Sequence, residues 1–286
     1  MGHRVFIHAG SPIHVVVSAM ARVRPFGISV VIPNYNRTEQ LREAIESVIT
    51  SPGSPVEIVV VDDASTDNPG NLIPSVNSSG VPVRFVTLRD NSGPQSARNM
   101  GMRRARYEFI AFVDSDDKFV RDKLPQVLDA LRGNEVDLLF HGVQGMEKYA
   151  LLSRIWVRFR RVFPFTWFLA ICNPVATCSL VVRNVGRLGV PGMRYCEDYA
   201  FLLHYVQAET RIAYLDSYLS SVERPQGKAG GLSAARWNMR KGEFKARQVL
   251  LRNYAPGAVI RWCLGGGMGC LRIVGDIVRG RYTRNL

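Results

Sequence analysis

Carboxylates crowded at the ends of apolar runs carry the chemistry in this chain. Residues 109–117 read Phe-Ile-Ala-Phe-Val-Asp-Ser-Asp-Asp, so a short strand-like run stops at Asp114, Asp116 and Asp117. Acids this close repel one another unless a cation is shared. Hard divalent cations take oxygen ligands, and Mg²⁺ commonly uses one or two carboxylates together with substrate phosphates. The pattern therefore suits a metal–diphosphate site at the carboxyl end of a strand, where open α/β sheets bind ligands. It would equally suit an acidic turn. A second acidic strand end follows Val56-Glu-Ile-Val-Val-Val, at Asp62 and Asp63, with Asp67 close behind. A third pair, Glu197-Asp198, opens the helix-like run Tyr199-Ala-Phe-Leu-Leu-His-Tyr-Val. Adjacent residues on a helix face different ways. One acid of this pair can then address a substrate while the other caps or supports, unless both simply favour the helix dipole.

The elements around these acids alternate. Residues 28–36 read Ile-Ser-Val-Val-Ile-Pro-Asn-Tyr-Asn, a buried strand halted by proline. A helix follows, with Thr38 able to cap it and Leu41, Ala44, Ile45 and Val48 at helical spacing. Val83 to Leu88 is a further strand, and 91–101 runs from a loop into a helix that carries Arg98. Strands alternating with helices predict an α/β fold with a mostly parallel sheet, and near-continuous Val/Ile strands predict a sheet covered on both faces.

Five segments together resemble the family 2 glycosyltransferases of the GT-A fold. They are Val-Val-Ile-Pro-Asn-Tyr-Asn-Arg at 30–37, Val-Val-Asp-Asp-Ala-Ser-Thr-Asp at 60–67, Gly-Pro-Gln-Ser-Ala-Arg-Asn-Met-Gly at 93–101, Phe-Val-Asp-Ser-Asp-Asp at 112–117 and Cys-Glu-Asp-Tyr-Ala-Phe at 196–201. The resemblance covers roughly residues 26 to 225. It implies a Rossmann-like sheet flanked by helices and an inverting transfer of sugar from a nucleotide-diphosphate-sugar to an acceptor hydroxyl. That acceptor would be a glycan or lipid-linked glycan of polysaccharide, glycolipid or cell-envelope synthesis. By the family's roles, Asp63 reads the base or ribose, and Pro33, Asn34 and Tyr35 pack on the base. Asp114 and Asp116, the D-x-D pair, hold Mg²⁺ or Mn²⁺, with Asp114 also facing the ribose. Asp198 is the general base. Arg98 contacts the diphosphate or holds the acidic loop, or else lies on the surface. Asp67 would cap a turn, Asn99 and Gly101 would serve packing, and the apolar run 167–182 would be a buried strand leading toward the catalytic acid.

The chain has 286 residues, long enough for one large core with appendages. Its formal net charge of +13, carried mainly by arginine, suits phosphate-bearing ligands or an anionic membrane surface. No zinc finger, RNP-type signature or recognition helix supports nucleic acid as partner. The five cysteines form no close pair, which fits reduced thiols in a cytoplasmic protein, peripheral at the inner face of a membrane. Residues 1–25 lack a signal-peptide pattern and are expected to form a poorly ordered leader. The GT-A domain is expected over 26–225, with a basic, helical extension over 226–286. Residues 151–163 form a basic amphipathic stripe through Leu151, Leu152, Ile155, Trp156, Phe159, Val162 and Phe163, and a second stripe runs over 258–281 through Ile260, Leu264, Leu271, Val274 and Val278. Such helices can lie in a membrane interface or pack on the domain. The glycines at 265–269 lack the full phosphate-loop pattern, and His204 reads as a packed histidine. Two other readings share these features. A nucleotidyltransferase would carry a Gly-rich phosphate loop after the first strand, where Pro33-Asn-Tyr-Asn-Arg37 stands. A non-catalytic, membrane-associated nucleotide-sugar-binding protein would be marked by loss of Asp116 or Asp198, and both are present.

Overall fold

The computed structural model describes residues 24–51, 53–72, 80–223, 235–252, 260, 262–267 and 269–270. The expected leader over 1–25 thus lies outside the described residues except for Arg24 and Pro25, which are docked. The Arg24 guanidinium donates to the Ala105 carbonyl, and the Pro25 carbonyl accepts from the Glu108 N–H.

The first half of the chain builds the parallel part of the sheet. Strands β1 (Ile28–Asn34) and β2 (Val56–Asp62) are buried at every position. Both faces of these strands are covered, as their unbroken apolar character requires. Val31, Val59 and Val61 enter one core, and Val30, Ile32, Ile58 and Val60 enter the other, following the two-residue strand period. Strands β3 (Val83–Thr87) and β4 (Phe109–Phe112) complete the parallel set in the order β3-β2-β1-β4. The chain moves outward from β1 to β3 and then returns to β1's other side. This makes the β1/β4 junction a switch point, with a crevice beyond the strands' carboxyl ends.

The helices pack as their residue spacing dictates. Helix α1 (Thr38–Ile49) buries Leu41, Ala44, Ile45 and Val48. Thr38 does not cap it. Asp67 accepts from the Thr38 N–H at 2.9 Å, so the cap comes from the loop after β2. That loop already lies beside the helix start, which leaves the Thr38 hydroxyl to donate to the Asp67 carbonyl. Helix α2 (Pro94–Arg104) begins on proline after Gly93, whose φ of 85° suits glycine. At Gly101 an added Cβ would sit 2.3 Å from Val31 Cγ1, so α2 lies directly on β1. Asn99 joins Gly189 through two hydrogen bonds, matching the packing role expected of it.

The second half makes the sheet mixed. It contributes β5 (Asp117–Phe119), α3 (Lys123–Leu131), β6 (Leu138–Gln144), α4 (Glu147–Phe159), α5 (Phe165–Ile171), β7 (Val181–Arg183), α6 (Glu197–Tyr205), β8 (Ile212–Val222) and α7 (Arg236–Arg252). The full order is β3-β2-β1-β4-β7-β6-β8-β5. β7 is antiparallel to both β4 and β6, β5 is antiparallel to β8, and β6 and β8 are parallel. The run 167–182 is therefore not one strand. Pro164 precedes α5, the Asn173-Pro174 break ends its helical pattern, and only Val181–Arg183 pairs in the sheet.

Helix α4 corrects the expected stripe. Seven apolar residues span too wide an arc to share one face. The structure turns Trp156 inward, 5% exposed, against Phe140 and Phe165. Leu151, Ile155, Phe159 and Val162 stay exposed at 44–81%. In the second stripe, Gly265 and Gly269 lie against Arg247 and Phe244 of α7, while Ile260 and Leu264 face outward. Leu271, Val274 and Val278 lie outside the described residues. Residues 262–267 are helical, so the glycines make no phosphate loop.

Candidate active site

Each acid of the sequence patterns emerges where an element ends. Asn34 closes β1 and Asp62 closes β2, paired in register. The Asn34 amide donates to Asp62 at 3.1 Å and to Ser65, tying the two strand ends together. Asp63 follows and is buried. Its two oxygens accept the Ser92 and Gly93 N–H groups, each at 2.8 Å, and so fix the loop that starts α2. Asp114 and Asp116 lie just past β4. Glu197 and Asp198 begin α6 after Cys196, which holds a left-handed φ of 56°.

These ends converge on one cavity of about 780 Å³. Asp63, Arg98, Asp114, Asp116, Glu197 and Asp198 all line it, as do Pro33, Asn34 and Tyr35. The residues expected to bind the base, diphosphate and metal and to take the proton are therefore all at this one place. Tyr35 is 46% exposed on the wall. The volume falls within the roughly 300–1,000 Å³ of small-molecule sites.

Arg98 organises the floor. It is 6% exposed rather than a surface arginine. One nitrogen donates to Asp114 at 2.6 Å and another to Glu197 at 3.1 Å, joining the end of β4 to the start of α6. Burial lowers its pKa, but the charges of Asp114 and Glu197 outweigh that and hold it far above the working range. Burial pushes the Glu197 and Asp198 carboxyls up, and Arg98 draws both back. Asp198 has no side-chain hydrogen bond among the described residues. The backbone N–H groups at the start of α6 also draw its carboxyl down, as a helix N-terminus does for an anion.

The acids beyond β4 are crowded. Burial first, then the charges of Asp114 and Asp116, push the Asp117 carboxyl up. A divalent cation would relieve that repulsion. Among the described residues no three His, Cys, Asp or Glu side chains converge as a complete metal cage. Asp114 and Asp116, open to the cavity, fit instead a cation that takes its remaining ligands from a diphosphate.

Four contributors were not recognised in the sequence. Arg37 forms an ion pair with Asp116 at 2.6 Å. Its position directly after the Pro33-Asn-Tyr-Asn segment was the available signal. Arg194 lines the rim just before Glu197. Ala235 and Met239, at the start of α7, line the wall although they fall in the expected extension. No local pattern marks either of the last two.

The family defined as Glycosyl transferase family 2 matches residues 29–185, more than half of the chain. The chain belongs to this family. Among its relatives, a Bacillus subtilis glycosyltransferase provisionally assigned to teichuronic acid biosynthesis, TuaG, is 27% identical over 180 residues, covering 60% of this chain and 69% of its own. An uncharacterized glycosyltransferase of Rickettsia conorii is 38% identical over 201 residues, covering 68% of this chain but only 32% of its own. In three dimensions the chain is similar to S. aureus TarS residues 1–349 in complex with UDP-GlcNAc. The TM-score is 0.60 at 22% identity, over 79% of this chain and 67% of that one. It is similar also to the mannosyltransferase PcManGT of Pyrobaculum calidifontis in complex with GDP-Man and Mn²⁺. There the TM-score is 0.64 at 15% identity, over 93% and 78%. These neighbours show that the fold is GT-A.

Proposed function

We propose that the protein is an inverting, metal-dependent glycosyltransferase that moves a sugar from a nucleotide-diphosphate-sugar to an acceptor hydroxyl of a cell-envelope glycan or lipid-linked glycan. One observation carries the reading. Buried Arg98 grips Asp114 and Glu197, so an acid pair suited to bind a metal–diphosphate and an acid suited to take a proton face one cavity. Of the two acids on α6, Asp198 is assigned as the base, because Glu197 is engaged by Arg98. Asp198 would take the acceptor hydroxyl's proton as that oxygen bonds to the anomeric carbon, and the bond to the diphosphate oxygen breaks on the opposite face. Such an attack inverts the anomeric centre. Mg²⁺ or Mn²⁺, held by Asp114 and Asp116, would supply positive charge to the departing diphosphate. Tyr35 and Pro33 would pack on the base. Asp63 keeps acceptor capacity for the base or ribose beyond its two backbone bonds. TuaG's name and the ligands of the TarS and PcManGT complexes support donor and pathway class by analogy.

The metal assignment has a direct test. A nucleoside diphosphate should bind much more tightly with Mn²⁺ or Mg²⁺ than in EDTA, and Asp116→Asn should remove most of the difference. Equal calorimetric affinity for the parent with and without EDTA contradicts it.

The assignment extends to a membrane surface, with residues 26–225 as the main catalytic unit, to which Ala235 and Met239 of the expected extension add part of the cavity wall. Helix α4 starts at the cavity, where Met146 and Tyr149 line the wall. Its exposed ridge of Leu151, Ile155 and Phe159, continued by Val162, is bordered by Arg158, Arg160 and Arg161. These three arginines have no carboxylate partner among the described residues. No helix among the described residues is long and apolar enough to cross a membrane, so attachment would be peripheral, at the cytoplasmic face. The protein should co-sediment with vesicles containing phosphatidylglycerol and be released as salt rises, because surface attraction is screened over about 10 Å at 0.1 M salt. Replacing Leu151 and Phe159 with serine should abolish that binding and leave nucleotide binding unchanged. Vesicle binding that survives the double substitution contradicts the role of α4.

A further inference from the structure

Three arginines line the cavity among the described residues: Arg37, Arg98 and Arg194. They are not equivalent. Arg98 is buried and committed at both ends of its guanidinium, so it cannot turn toward a ligand without abandoning Asp114 or Glu197. Arg37 is different. Its side chain is 32% exposed, it sits at the start of α1 beside the first strand end, and its guanidinium lies 2.6 Å from Asp116. Asp116 is the acid assigned above to the metal. A divalent cation arriving at Asp116 would compete with this guanidinium for the carboxylate's charge.

We propose that Arg37 is a displaceable counter-ion. It holds Asp116 while the site carries no metal, is released when a divalent cation takes Asp116, and then donates to the diphosphate of the donor. The exchange is physically inexpensive. A partly exposed ion pair contributes little net stability. The released guanidinium stays on the cavity wall and has the planar fork that matches phosphate oxygens. Metal entry and diphosphate capture are then linked through one side chain. The site keeps its acids neutralised when empty and gains a second phosphate donor when loaded. Nothing in α1 depends on the guanidinium, because the helix start is capped by Asp67.

This inference rests on the metal–diphosphate reading of the cavity, and the test separates the two. Binding of Mn²⁺ alone would be measured first, then binding of pyrophosphate at saturating Mn²⁺, for the parent, Arg37→Gln and Arg37→Lys. Removing the competitor should let Arg37→Gln bind Mn²⁺ alone about threefold to fivefold tighter than the parent. The same variant should bind pyrophosphate roughly tenfold more weakly, as expected for one lost charge-assisted hydrogen bond. Its melting temperature should not change. Arg37→Lys keeps the charge but not the fork and should bind pyrophosphate more tightly than the glutamine variant and less tightly than the parent, which guards against a folding defect in the glutamine variant. Opposite signs for metal and diphosphate are the signature. If Arg37→Gln binds Mn²⁺ no tighter than the parent, or pyrophosphate equally well, the counter-ion role is overturned. If the parent binds neither Mn²⁺ nor pyrophosphate, the metal–diphosphate reading itself fails and takes the inference with it.

Discussion

Asp198→Asn should cut sugar transfer by roughly 10²- to 10⁴-fold, the range for a lost general base, while donor binding stays nearly intact. The substitution keeps the shape of the side chain, but it cannot accept the acceptor's proton. Glu197→Gln should behave differently. Glu197 receives a hydrogen bond from Arg98 and is 9% exposed, so its loss loosens the tie between α6 and the end of β4. That variant should melt earlier and bind donor more weakly. Transfer rate, donor affinity and melting temperature of the two variants distinguish the roles. Parent-like transfer by Asp198→Asn, with transfer lost in Glu197→Gln, would reverse the assignment.

Arg98→Met should be the most destabilising single change at the site. It removes the one buried cation between Asp114 and Glu197 and leaves acids without their counter-charge. Breaking a buried pair from one side costs about 3–5 kcal/mol. For a chain of this size that is a melting-temperature loss on the order of 10 °C. The pH dependence has a definite sign. Without Arg98 the Glu197 carboxyl, already raised by burial, would rise further. A folded state that binds extra protons gains stability as pH falls. The deficit of Arg98→Met relative to the parent should therefore shrink on going from alkaline to mildly acidic pH. Denaturant melts at several pH values check this. A deficit that is small, or that grows toward acid, would show that the guanidinium is not the counter-charge described.

What could be read in the sequence was local. An apolar run ending in acids marks a buried parallel strand with carboxylates at its tip, so the place of Asp63, Asp114 and Asp116 at the cavity was legible from a few neighbouring residues. The Glu197-Asp198 pair and the α1 stripe were equally self-contained. What could not be read depended on distance along the chain. Arg98 meets Glu197 across 99 positions, and Asp67 caps α1 from 29 positions away. The inward turn of Trp156 was hidden because its helix is apolar over more than one face, so spacing alone leaves the rotation of α4 open. The antiparallel strands β5 and β7 are three residues each, too short to show a period. The wall residues Ala235 and Met239 carry no chemical signal and come to the cavity only because α7 packs on α6, where the Cys196 thiol contacts the Met239 carbonyl.

The measurement that tests the account most directly is turnover of a panel of nucleotide-diphosphate-sugars by the parent protein, with Mn²⁺ or Mg²⁺ and with EDTA, followed as release of the nucleoside diphosphate. At least one sugar nucleotide should be hydrolysed or transferred in the presence of the metal, with activity lost in EDTA and in Asp116→Asn. A parent protein that binds and turns over no member of the panel, with metal present, would contradict the glycosyltransferase assignment.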